Sequence, residues 1–334
     1  MHIGRHYSLQ QTLVWSQRDF LLPLAWAALL TVLYRVFGFT FLGIPWLPLS
    51  AMAVAVAFYL GFKNNASYDR LWEARKIWGA IVNASRSWAF SSRDLIRAAD
   101  TGVDDAELLQ IRRRLVLRHV AWMDALRHQL RKLQTWEHRG PEFDILRRTT
   151  GVPELREDLQ TELARNLPEA EVAAVLATLN PAAHLLSHQS SDLAELRQRG
   201  LIDGFAHQVL QGLLIDLMAE QGKAERIKNF PFPRQYATVN RIFAYTFAAL
   251  VPCGILPAFD DHGLVWMTIP FSALVSWVFL TTDHIGDWSE NPFEGLANDV
   301  PISAMARGIE RDIRQMDGQS ELPPPRQPDG MVLY

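Results

Sequence analysis

Trp46-Leu-Pro-Leu-Ser-Ala-Met-Ala-Val-Ala-Val-Ala-Phe-Tyr-Leu-Gly-Phe62 runs without a break into Lys63-Asn-Asn-Ala-Ser-Tyr-Asp-Arg-Leu-Trp-Glu-Ala-Arg-Lys-Ile-Trp-Gly79, and the reading of this stretch decides the fold. Residues 46–62 carry no charge. As a helix they would measure ~26 Å at ~1.5 Å per residue, close to the hydrocarbon thickness of a bilayer. The second half is polar, yet its apolar residues keep helical spacing: Leu71, Ala74, Trp78, Ile81, Ala84 and Trp88. No proline interrupts residues 63–100. One helix is therefore expected to cross the membrane and continue straight into water.

Three further windows are almost free of charge: residues 20–45, where Arg35 stands alone, 242–259 and 264–282. Runs of ~20 apolar residues match a bilayer-spanning helix. A purely water-soluble chain is not expected, although the average composition (21% charged, 49% hydrophobic, mean hydropathy −0.02) is that of a soluble protein. A net charge of −3 over 334 residues gives no reason to expect a nucleic-acid partner. One cysteine, Cys253, excludes an internal disulfide framework and a Cys-based zinc site. No cleavable signal peptide is expected: Arg5, Arg18 and Asp19 precede an apolar stretch too long for one.

Lys and Arg set the topology. The connections at residues 43–48 and 257–263 contain neither, whereas residues 63–234 hold 25 of the 33 basic residues. The positive-inside rule then places the N-terminus, the middle block and the C-terminus in the cytoplasm, with four spans in two hairpins. Within the middle block, residues 104–133 fit a helix with Leu108, Ile111, Leu115, Trp122, Leu126, Leu130 and Leu133 on one face and an Arg-rich opposite face, opened by Asp104 or Asp105. Short helices follow over 153–178, and Pro181 opens another helical region interrupted by Gly200 and Gly204. No window alternates as a strand does, so the fold class is an all-α integral membrane protein. Its expected organisation is an N-terminal segment (1–19), a transmembrane hairpin (20–62), a cytoplasmic helical domain (63–235), a second hairpin (236–282), an acidic segment (283–318) and a flexible tail (319–334).

Two stretches are specific beyond their hydropathy: residues 60–79, quoted above, and Asn291-Pro-Phe-Glu-Gly-Leu-Ala-Asn-Asp-Val-Pro301. Together with the order of spans and blocks they resemble the bestrophin family of ion channels, in its bacterial branch, over roughly residues 8–316. The resemblance implies a homopentamer around one axial pore that widens into a cytoplasmic vestibule. It also implies a narrow neck lined by three apolar residues of the second span, which fall here at Val54, Phe58 and Phe62. The spacing agrees, since i, i+4 and i+8 share one helix face. A ring of bulky apolar side chains excludes water and ions until it widens. On an anonymous membrane helix such residues would simply pack; the flanking motif turns the reading towards a pore. Ala51, Ala53, Ala55 and Ala57 on the remaining faces would allow close helix approach.

The family's second constriction, a cytoplasmic aperture, maps to Phe205, with Ile202 and Val209 as neighbours; a core phenylalanine is the competing reading. Asn64, Asn65 and Ser67 follow the neck and could offer amide and hydroxyl groups to a rehydrating ion. In animal bestrophins consecutive carboxylates after the Asn-Pro-Phe turn grip calcium. Here Gly295, Leu296, Ala297 and Asn298 interrupt the run, leaving Asn291, Glu294 and Asp299 as a vestigial clasp region. Calcium wants six to eight oxygens, so no calcium dependence and no cofactor are expected, and Asp299 is read as a helix cap in a belt segment that packs against a neighbouring subunit. His184, His188 and Asp192 have a spacing a metal can use, but solvated histidines are the commoner outcome, and no metal is expected. Motifs of the common hydrolases are absent and no enzyme is expected.

The sequence thus points to a homopentameric channel in the bacterial inner membrane, passing small monovalent ions passively through a hydrophobic gate. The family is known for chloride and anion channels, whereas resemblance to its bacterial branch points to a preference for sodium and potassium; Val54, Phe58 and Phe62 carry no charge that would decide. The alternatives are a secondary transporter, disfavoured by an unbroken, uncharged pore helix, and a non-conducting membrane scaffold.

Overall fold

The structure, a computed structural model, describes residues 1–98, 102–140, 143 and 151–334. Contacts divide the chain into two compact units: Gly4–Leu71 with Pro231–Glu290, and Met1–Ile3 with Trp72–Phe230 and Asn291–Tyr334.

In the first unit, α1 (Leu9–Arg35) opens with a capping box. The Ser8 hydroxyl accepts the Gln11 N–H at 3.1 Å and the Gln11 side chain accepts the Ser8 N–H at 2.9 Å, satisfying two end donors. After a short 3₁₀ turn, Thr40–Leu42, α2 (Trp46–Leu95) runs 50 residues without interruption, about 75 Å at ~1.5 Å per residue, its residues up to Leu71 belonging to this unit and those from Trp72 to the other. The expected continuous helix is present. The segments Thr40–Leu95, Arg234–Asp260 and Val265–Asp287 are long and apolar enough to cross a membrane. Helix α1 falls short of that standard because Arg18 and Asp19 lie within it and Arg35 ends it. Arg35 is therefore terminal rather than central, 3.8 Å from Asp260, to which the Tyr34 hydroxyl also donates at 3.3 Å.

The two connections differ from expectation. Helix α1 stops at Arg35, so the first linker is residues 36–45, and Pro48 sits inside the first turn of α2, where its missing N–H costs nothing. Pro257 likewise lies within a helix that continues to Asp260.

In the second unit, α3 (Asp105–Arg131) is capped by the Asp104 carboxylate, which accepts the Glu107 N–H at 2.7 Å. Leu108, Ile111, Leu115, Trp122, Leu126 and Leu130 are buried as expected, while Leu133 lies beyond the helix and is exposed. The Arg-rich face is a correction: Arg118, Arg127 and Arg131 are buried. Each meets carboxylates from other elements, which is what a buried guanidinium requires. Arg118 pairs with Glu171 at 2.6 Å and with Asp192. Short helices α4 (Leu159–Ala164) and α5 (Glu169–Leu176) follow, then α6 (Pro181–Gln198) and α7 (Gly204–Asn229). Gly200, at φ 74°, ends α6 in the left-handed region that glycine tolerates. The remaining helices are α8 (Arg234–Asp260) and α9 (Thr268–Asp287) in the first unit and α10 (Ile302–Met316) in the second. Among the described residues there is no sheet, only isolated bridges at His2–Val332 and Asp329–Val332.

The tail, expected to be flexible, is tied down at its end. Ile3 donates its N–H to the Met331 carbonyl at 2.9 Å, Leu333 donates to Met1 at 2.9 Å, and Ala304 donates to Tyr334 at 2.7 Å.

His119 is fully buried between Trp88 and Trp122, at ring-centroid distances of 6.4 and 5.0 Å. Burial pushes its imidazole down to about 3, so it stays neutral in the folded chain. The unfolded chain binds this proton below ~6.5, so the contribution is intact above that pH and fades as pH falls towards 3. Between pH ~6.5 and ~5 the protein should lose about 2 kcal/mol through this group. His119→Phe, which keeps a ring in the stack, should flatten that slope in thermal melts; an unchanged slope would place the acid sensitivity elsewhere.

Candidate functional site

The part of α2 in the first unit, up to Leu71, has two unlike faces. Leu49, Val56 and Leu60 are buried against Ala244, Phe247, Ala248 and Val251 of α8 and Leu280 of α9, one apolar core. The other face carries Val54, Phe58 and Phe62, exposed by 72%, 65% and 51%. The Phe58 and Phe62 rings meet edge to face, centroids 4.5 Å apart at 82°. Three large apolar side chains thus stand in an open row one turn apart, held by a helix whose opposite face is packed. Of the small residues, Ala53 packs against the core, while Ala51, Ala55 and Ala57 are exposed.

The polar residues after Phe62 divide in the same way. Asn65 is exposed. Ser67 is fully buried, and the Asn64 amide donates to the Thr282 carbonyl of α9 at 3.0 Å. Positions 60, 64 and 67 lie on one face of a helix, so Asn64 and Ser67 follow Leu60 to the packed side. Lys63, absent from the residues expected at the neck, shares that side. Its ammonium is completely buried, 2.6 Å from Asp283 and 2.5 Å from Asp287. A signal for it exists in the sequence: a lysine three residues after Leu60 and seven after Val56, with two aspartates four apart on the last apolar helix.

Around the second expected constriction, Asp203 caps α7 by accepting the Ala206 N–H at 2.7 Å. Phe205 and Val209, one turn apart, are 82% and 52% exposed. Ile202 is buried in the unit's core and does not share their face.

The segment 291–301 is a buried, self-closed turn. The Asn291 amide donates to Glu294 at 2.7 Å, and the other Glu294 oxygen lies 2.9 Å from His138 Nδ1. Asp299 accepts the N–H groups of Gly295 and Leu296 at 2.7 and 3.0 Å. It therefore closes its own loop rather than capping α10, whose N-cap Pro301 has no side-chain bond. Gly295 makes this closure possible: its φ is 90°, and a Cβ there would meet Val152 at 3.0 Å. Burial raises the Asp299 carboxyl to about 7 against the pull of Arg131. Burial opposes ionisation of Glu294 as well, but the His138 hydrogen bond and charge outweigh it and hold its carboxyl low. Both carboxylates are thus occupied by protein donors. Asp192 pairs with Arg118, and His188 faces Glu171 at 3.2 Å, so the His184, His188, Asp192 triplet is not assembled as a site. Among the described residues no group of three metal-binding side chains converges.

The family described as bacterial/fungal bestrophin protein matches residues 14–315. The voltage-dependent anion channel-forming protein YneE of Escherichia coli is 30% identical over 302 residues, covering 90% of this chain and 86% of that protein. A protein of the same description from Ralstonia nicotianae is 29% identical, covering 82% of this chain and 78% of its own length. A bestrophin homologue from Klebsiella pneumoniae superposes with a TM-score of 0.75 at 28% identity, over 91% of this chain and 98% of that one. A variant of the Klebsiella protein gives 0.76 at 27% identity, over 91% and 99%. The match over residues 14–315 spans both stretches that carried the resemblance, 60–79 and 291–301, and this chain belongs to the bacterial/fungal bestrophin family.

Proposed function

We propose that the chain is an ion channel: a homopentamer in the bacterial inner membrane, with both termini in the cytoplasm, that passes small monovalent ions passively through a hydrophobic neck. The observation that carries this reading is the open row Val54, Phe58, Phe62 on a helix packed on its other face. A row of large apolar side chains left uncovered within one subunit finds its use when copies bring several such rows around an axis. In this arrangement α1, beside α9, serves as the fourth span, and Phe205 with Val209 forms a second apolar constriction. The relatives' description as anion channel-forming proteins makes anions the first candidates for the permeant ion. The neck itself is neutral, so charge selection lies in groups outside it.

Native mass spectrometry in detergent and flux into liposomes test the proposal together. Five 38.0 kDa chains come to about 190 kDa. A dominant monomer or dimer would sink the central pore. Fast passive flux is the channel outcome, slow saturable flux a transporter, and no flux a scaffold. Reversal potentials in a chloride gradient then assign the sign of the permeant ion.

Calcium should be without effect on this flux. The carboxylates of the 291–301 turn are taken up by His138 and by backbone N–H groups, and Asp283 and Asp287 by Lys63. Chelation or addition of micromolar calcium is expected to change conduction by less than twofold; a strong requirement would show that the turn opens to bind it.

A further inference from the structure

We propose that Lys63 is the positioning residue of the neck, a charged pin on the buried face of α2 that fixes the rotation and height at which Phe58 and Phe62 stand. This rests on the reading of Val54, Phe58 and Phe62 as a pore neck. Lys63 continues the stripe of Leu49, Val56 and Leu60. An apolar residue there would extend the core at no electrostatic cost, whereas a buried ammonium is tolerated only when its charge and all its donors are matched.

They are matched. The ammonium has three N–H donors, and it meets Asp283 Oδ1 at 2.6 Å, Asp287 Oδ1 at 2.5 Å and the Asp283 carbonyl at 3.2 Å. Asp283 and Asp287 stand one turn apart on α9, so one lysine spans both. Asn64, the next residue, donates to the Thr282 carbonyl at 3.0 Å. The approach depends on Gly286, where a Cβ would collide with Asn64 Oδ1 and lie 3.3 Å from Lys63 Cε.

Between Leu49 and Leu60 the packed face of α2 is apolar. Apolar burial is non-directional, so Leu49, Val56 and Leu60 hold α2 against its neighbours without specifying one angle or one height. Directional bonds at residues 63 and 64 do specify them. Phe62 adjoins Lys63 in sequence, about 100° away around the helix, and any rotation of one is a rotation of the other. A buried ion pair is a poor source of stability compared with apolar side chains of the same size; fixing a register is the role it performs better.

Lys63→Met alone would strand the buried Asp283 carboxylate beside the half-buried Asp287 and could prevent assembly. The decisive protein therefore combines Lys63→Met, Asp283→Asn and Asp287→Asn, which removes every charge and nearly keeps the volumes. It is expected to assemble like the parent and to melt within a few degrees of it. With the pin gone, the rings leave their row, and liposome flux should rise at least threefold. Normal assembly with unchanged or lower flux overturns the proposal.

A second measurement does not depend on conduction. In a Cys253→Ala background, Phe62→Cys is modified with a water-soluble thiol reagent, with and without the three neutralising changes. The rate should differ at least threefold if the pin sets the orientation of the row, and equal rates overturn it. If the parent passes no ions while the rates still differ, the pore reading fails and the pin stands.

Discussion

Replacing Val54, Phe58 and Phe62 together by alanine should raise ion flux through the assembled protein by about tenfold, equivalent to about 1.4 kcal/mol off the barrier at the neck. The expectation follows from where the side chains are. All three are more than half exposed in the single subunit, so truncating them opens no cavity in its core. Within the subunit the change costs the Phe58–Phe62 edge contact, worth about 1 kcal/mol, and little else. In a ring the same truncation shortens the apolar plug and lets water remain in the constriction.

The competing view, in which these residues pack between copies, predicts the opposite. Truncating an aromatic side chain buried at an interface costs several kcal/mol, roughly 3–5 for Phe→Ala, and the complex would fall apart with no gain in flux. A flux assay and a sizing column on one purified variant separate the two. A fall in flux through an intact complex would place the pore elsewhere.

The parts of the fold that are legible in the sequence share one property: their signals are local. The absence of proline and the continued apolar period after Phe62 announce a single helix through Leu95. Asp104 announces a cap. What is not legible depends on partners distant along the chain. Arginine reads as a surface residue by its usual preference, which is why α3 suggests an Arg-rich solvent face. Arg118 and Arg127 are buried because Glu171, Asp192, Glu154 and Glu162 come to them from elements 27 to 74 positions away. No local pattern encodes that. Asn64 and Ser67 are a different case. Proximity to Phe62 suggests a place beside the neck, although their spacing from Leu60 already assigns them to the packed face. Asp299 has the position of a cap for the helix that follows, and it instead binds backwards, because Gly295 turns the loop N–H groups towards it.

Arg127 is where the largest loss of stability is expected. The residue is 3% exposed, and its guanidinium meets Asp124 at 2.6 Å, Glu162 at 2.7 Å, and Glu154 through its other terminal nitrogen. Glu154 shows the strength of the arrangement. Burial alone would raise its carboxyl, yet Arg127, Arg131 and the Ser303 hydroxyl bring it down to about 2. Asp124, for which burial wins, is raised to about 6. Arg127→Met would leave these carboxylates facing one another with weaker compensation, from Arg131 at 3.8 Å from Glu154 and from the more distant Arg326. Breaking a buried pair from one side costs roughly 3–5 kcal/mol, a large share of the stability of any domain. The expected result is a melting midpoint lowered by about 10 °C or more, with the loss shrinking as pH falls and the stranded carboxyls take up protons. Adding Asp124→Asn and Glu162→Gln should recover at least half of the loss, because it removes the uncompensated charges rather than restoring the guanidinium. If Arg127→Met melts like the parent, or if the added substitutions worsen it, the cluster is not held together by charge, and α3 owes its place to the apolar stripe from Leu108 to Leu130 alone.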